Sequence, residues 1–86
     1  LIGVVETVTP ERARELLEHN RCGRPLDPDI VKMMARAMRR GRWSPDIQGM
    51  SIRFDAEGYV VQGQTLLAAV VEADATLEMV MEPRFV

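Results

Sequence analysis

Residues 65–73 read Thr-Leu-Leu-Ala-Ala-Val-Val-Glu-Ala, and only Thr65 and Glu72 among them are polar. The stretch follows a strand-like run and a glycine, and it reads as a helix. A helix that is apolar all round is either enclosed on every side or covered by a partner. The chain has 86 residues, and a domain of that size buries only about 60–65% of the surface its unfolded chain exposes. Full enclosure is therefore hard to supply. Two arrangements meet the constraint: a core helix between a sheet and a second helix, or a helix that presents Leu66, Leu67, Val70 and Val71 as a candidate interface.

The neighbouring segments supply the other elements of one domain, residues 1–86. Ile2 to Val8 is rich in β-branched residues and alternates loosely, which predicts a strand. Thr9-Pro10-Glu11 is a helix start, with a capping hydroxyl, a proline at the first helical position and an acid facing the dipole. That helix runs to about His19, with Ala13, Leu16 and Leu17 as its apolar stripe. Asn20 to Leu26 is a loop. Asp27-Pro28-Asp29 repeats the start signal, and the second helix runs to about Arg40, with Gly41 as its left-handed terminator. Ile30, Met34, Ala37 and Met38 share a face of it, and Met33, Met34 and Met38 read as core filler. Ser44 to Gly49 is a connector. Met50–Phe54 and Tyr59–Val61 form a hairpin around the turn Asp55–Gly58, and Thr76–Met81 is a last strand. The expected class is α+β, a small mixed sheet with packed helices in the order β-α-α-β-β-α-β.

Composition narrows the function classes. Cys22 is the only cysteine and His19 the only histidine, so there is no internal disulfide and no zinc spacing. Cys22 reads as a bystander, its only route to reactivity being the nearby Arg21 and Arg24. His19 reads as a favourable charge at a helix end. No apolar run reaches the roughly 18 residues of a membrane span and no signal peptide is visible, so the expected location is the cytoplasm. Ten of the eleven basic residues are arginine, which suggests a GC-rich bacterial or phage genome. Residues 1–53 carry a net +3 and residues 54–86 a net −5.

The segment Tyr59-Val60-Val61-Gln62-Gly63-Gln64-Thr65-Leu66-Leu67 joins a hairpin to the apolar helix. A glycine there lets a ligand approach the backbone, and free N–H groups at the helix start favour an anion. In this segment the chain resembles the ParB/sulfiredoxin-like superfamily, in which a hairpin leads into Asp-Gly-Gln-His-Arg-Leu and an apolar helix. The resemblance extends over roughly residues 5–82. It includes Arg24-Pro25-Leu26, the helix Val31 to Met38, Gly41-Arg42-Trp43, Ile52-Arg53-Phe54-Asp55 and Gly58. It implies a small mixed sheet with helices packed on it, and a motif that binds nucleotide phosphates and in some members hydrolyses or transfers phosphate.

Gly63 and Gln64 match that motif. Gln62 stands in place of its acid, Thr65 in place of its histidine and Leu66 in place of its arginine. Phosphoryl transfer depends on positioning and charge neutralisation, and arginine supplies the planar fork of donors a phosphate uses. With all three ionisable groups replaced, the expectation is no catalytic residue, no cofactor and no nucleotide, although Arg24 could reach an anion from its own loop. Lys32, Arg36, Arg39, Arg40 and Arg42 gather towards the end of the second helix. They read either as a nucleic-acid phosphate contact or as a solvated face with favourable charge at a helix C-terminus. The leading expectation is a non-catalytic module that binds itself or another protein through the apolar third helix or an exposed sheet edge. A DNA-associated regulator and an atypical nucleotide-binding enzyme are the alternatives.

Overall fold

The computed structural model describes residues 3–43 and 51–82. The expected connector Ser44 to Gly49, Met50 of the strand expected after it and Ile2 of the first expected strand lie outside the described residues. Within them the order is β1 (Val4–Val8), α1 (Pro10–Glu18), α2 (Pro28–Arg39), β2 (Ser51–Phe54), β3 (Val60–Gln62), α3 (Gln64–Ala73) and β4 (Leu77–Glu82). The chain is a small α+β domain. Its four strands form one mixed sheet in the order β1-β4-β2-β3. The β1–β4 and β2–β3 pairs are antiparallel, and β2–β4 is parallel.

The two helix starts form as their sequences require. The Thr9 hydroxyl accepts from the Arg12 N–H at 3.0 Å, with Pro10 opening α1. The Asp27 carboxylate accepts from the Asp29 N–H at 2.9 Å, with Pro28 opening α2. At the end of α1, His19 Nδ1 lies 3.2 Å from the Glu15 carbonyl.

The central packing unit is α3. It lies against both α1 and α2, and its buried residues join Val8, Ile52, Val60, Met79 and Met81 of the sheet in one core. Leu67, Ala69 and Val70 are fully enclosed, and Leu66 is 4% exposed. This corrects the interface reading of the helix. Leu66, Leu67 and Val70 fill the chain's own core, and Val71 is half-buried against it. Three helices sharing one layer supply the enclosure that chain length alone argued against. Central β4 alternates as a half-buried strand should, with Met79 and Met81 inward and Glu78 outward.

Helix α2 is also turned relative to expectation. Its inward face is Val31, Ala35 and Met38, whereas Ile30 is 41% and Met33 61% exposed. Met33 is thus not core filler. The half-buried Trp43 packs against the core.

The strand expected at Tyr59–Val61 begins one residue later, because the Tyr59 N–H is held inside the turn. It donates to Asp55 Oδ1 at 2.9 Å, and the Glu57 N–H donates to the same oxygen at 2.9 Å. Arg21 reaches Asp55 Oδ2 at 3.2 Å. The Tyr59 amide, then the Glu57 amide and the Arg21 charge, hold the Asp55 carboxyl below its ordinary value of 3.8, against the opposing effect of burial. A lowered folded-state pKa contributes stability that is present above the ordinary value and is lost as pH falls through the folded one. Asp55→Asn is expected to lower stability at neutral pH and to flatten the acid side of the stability profile, as read by urea unfolding across pH. An unchanged acid limb would show that Asp55 does not contribute.

Candidate functional site

The segment after α1 makes the site. The Val60 N–H donates to the His19 carbonyl and the Arg21 N–H donates to the Val60 carbonyl, both at 2.7 Å. This forms a parallel bridge between Asn20 and Val60 along the outer edge of β3. The Arg21 guanidinium carbon then lies 3.6 Å over the centre of the Tyr59 ring, while its Nη1 pairs with Asp55 and Glu57 of the hairpin turn. The loop is thereby fastened to the sheet edge just before the glycine turn.

Gln64 completes the fastening. Its carbonyl oxygen accepts from Asn20 Nδ2 at 2.7 Å, and its Nε2 donates to the Arg24 carbonyl at 2.5 Å. Asn20 Oδ1 in turn accepts from the Cys22 N–H at 2.9 Å. Both ends of each amide are used, so residues 20–24 and the start of α3 form one hydrogen-bonded unit. Gln64 acts here as a clamp between two backbone segments.

Gly63 is the turn that α3 starts from. Its φ is +108°, and a Cβ added there would lie 2.5 Å from Ile52 Cδ1, 3.2 Å from Ile52 Cα and 3.3 Å from the Ser51 carbonyl. Both the dihedral and the close approach of β2 require glycine. No side chain caps α3 at this end.

These elements surround a cleft of about 610 Å³, a size typical of ligand pockets. Cys22, Arg24 and Pro25 come from the loop, Asp27, Ile30 and Met34 from the start of α2, and Ser51 and Val61 from the sheet. Gln62, Gly63, Gln64, Thr65 and Leu66 close it. All five motif positions therefore come together with Arg24. The charged side chains among these lining residues are Arg24 and Asp27. Where the resembled motif would put an acid, a histidine and an arginine, the cleft has an amide, a hydroxyl and a leucine. Cys22 is half-buried, with its Sγ 3.8 Å from the Val60 carbonyl.

Among the described residues, the large exposed apolar side chains are Val4 and Val5 on β1, and Leu26, Ile30, Met33 and Val61 in or beside the segments of the cleft. Ile30 and Val61 line it, Leu26 lies between two lining residues, and Met33 is one turn beyond Ile30. Sequence periodicity did not single out this group, because it placed Ile30 and the methionines inside. Asn20 was also missed. Its position after a helix signals a turn, but nothing local signals its partner forty-four residues away.

Lys32, Arg36, Arg39, Arg40 and Arg42 are exposed and lie away from the cleft lining. Among the described residues there is no group of three or more His, Cys, Asp or Glu side chains placed to hold a metal. No described helix is long and apolar enough to cross a membrane. Compared with known proteins, the chain matches no family model, no curated protein and no solved structure.

Two substitutions probe the architecture of the cleft. Gly63→Ala is expected to cost about 1–3 kcal/mol through the strained dihedral and the displaced Ile52, as measured by denaturant unfolding. Gln64→Ala leaves the Asn20 amide and the Arg24 carbonyl without their partner. It is expected to lower amide-exchange protection at Cys22 and Arg21 more than in the distant β1–β4 pair. Uniform loss across the sheet would mean that Gln64 acts globally and is not a clamp for this loop.

Proposed function

We propose that the chain is a non-catalytic domain of ParB/sulfiredoxin-like type that acts as a protein-interaction and self-assembly module through its cleft. The observation that carries this reading is the chemistry of the cleft and its mouth. The position where the resembled family keeps phosphate-binding charge is occupied by Gln62, Thr65 and Leu66, and the cleft exposes Ile30 and Val61, with Leu26 and Met33 exposed beside it. A concave surface with a few polar groups and a ring of accessible apolar side chains suits a polypeptide segment better than a triphosphate. Methionine at such a surface adapts to the shape of what it meets.

The surface differs from the α3 face that the sequence suggested. Leu66 is enclosed, so Leu66→Glu would bury a charge and unfold the chain without probing an interface. Ile30 and Met33 can be changed without disturbing the core. Burying each contributes about 1.5–3 kcal/mol when fully covered, so the pair is worth tenfold or more in affinity.

Sedimentation and light scattering over a concentration series test the reading. The wild-type chain is expected to gain mass with concentration, and Ile30→Ser/Met33→Ser to weaken association at least tenfold with an unchanged unfolding midpoint. Wild type and variant that both stay monomeric would remove self-assembly. Calorimetry with CTP and ATP in Mg²⁺ is expected to be silent, and release of phosphate would overturn the non-catalytic assignment.

A further inference from the structure

Helix α2 has two different flanks. At about 100° per residue, Val31, Ala35 and Met38 face the core, with Ile30 and Met34 to one side and Met33 on the outermost face. Lys32, Arg36, Arg39 and Arg40 fall on the other side, and all four are exposed. The sequence from Ile30 to Trp43 contains no aspartate or glutamate.

This is unlike the other exposed helix. In α1 the signs are mixed, and Arg12 pairs with Glu6 and Glu15. Arg21 and Arg53 also have carboxylate partners. Among the described residues, no ion pair involves a cation of the α2 flank. Arg39 donates to the Glu72 carbonyl at 3.3 Å, in the last turn of α3, where the helix end favours a cation. Like charges four residues apart disfavour a helix, and Lys32–Arg36 and Arg36–Arg40 are such pairs. Favourable charge at a helix C-terminus acts only within the last turn, so it does not account for Lys32. Overall basicity does not account for the row either, since the chain is net −2.

We infer that this flank of α2 is a contact surface for the sugar-phosphate backbone of a nucleic acid. Steps of four residues place successive cations about 6 Å apart along the helix axis, close to two phosphate steps of about 3.4 Å on one strand. A regular row of like charges matches a repeating polyanion, and arginine's fork suits phosphate oxygens. Without accompanying base-reading side chains, the contact is independent of sequence. Ile30, which lines the cleft, is about 120° or more round the helix from Lys32, Arg36 and Arg39. Met33 borders Arg36 and Arg40, so the two contacts are adjoining and are separated by testing the cations and Ile30 individually.

Fluorescence anisotropy with labelled mixed-sequence duplex DNA and single-stranded RNA, at low and moderate salt, tests this. Wild type is expected to bind at low salt and to weaken as salt rises. Arg36→Ala/Arg40→Ala is expected to bind several-fold more weakly, with a log–log salt slope shallower by about two. Arg36→Lys/Arg40→Lys keeps most of the slope, and Ile30→Ser keeps the affinity. Three results would overturn the assignment: no salt-dependent binding, binding that survives the double alanine change, or displacement by polyglutamate as effective as by unlabelled nucleic acid. The last would assign the flank to an acidic protein instead.

Discussion

A ten-residue helix with a single charged side chain has to be kept from water, and the rest of the domain is arranged to do so. Helix α3 lies against α1 and α2 and shares one core with the sheet. That placement fixes the chain direction on either side of it. The segment before α3 must leave the sheet at Gly63, and the segment after it must return as the central strand β4. The Asp74 backbone makes the return in a left-handed conformation, with φ of 52°. Such a conformation costs a non-glycine residue little when it is aspartate or asparagine.

Placing α3 in the centre also separates surface from core. Its N-terminal end opens on the cleft, where neutral and apolar groups dominate. At its other end, Arg39 of α2 reaches the Glu72 carbonyl, and the exposed cations of α2 extend along that flank. Helix α2 therefore divides two environments with one set of buried side chains. The apolar and the cationic residues of α2 occupy adjoining arcs that meet at Met33 and Arg40.

Much of this was legible in the sequence where the signal was local. The starts of α1 and α2 follow from Thr9-Pro10 and Asp27-Pro28, the hairpin turn from Asp55 to Gly58, and the break before α3 from Gly63. Three features were not legible. The rotation of α2 was misjudged because its apolar residues span more than half of its circumference, so periodicity alone does not select Val31 and Ala35 over Ile30. The enclosure of Leu66, Leu67 and Val70 was one of two arrangements open to an apolar helix, and the choice between them depends on α1, α2 and the sheet all meeting it, which no window of sequence encodes. The Asn20–Gln64 clamp joins residues far apart along the chain, and an amide of either type is ordinary in a loop or a first helical turn. Residues 62–66 line one cleft together with Arg24, and the side chains they bring to it are neutral.

Gly63 has a bearing on how freely the chemistry of this domain can be altered. What excludes a side chain there is Ile52 and the Ser51 carbonyl on the neighbouring strand, a requirement that holds whether or not anything occupies the cleft. Gln62 and Thr65, on either side, meet no such demand, since the first is exposed and the second half-buried. The shape of the turn is thus decoupled from its reactivity. Residues 62 and 65 can therefore be exchanged without rebuilding the turn, and a glycine between them carries no information about what the cleft accommodates.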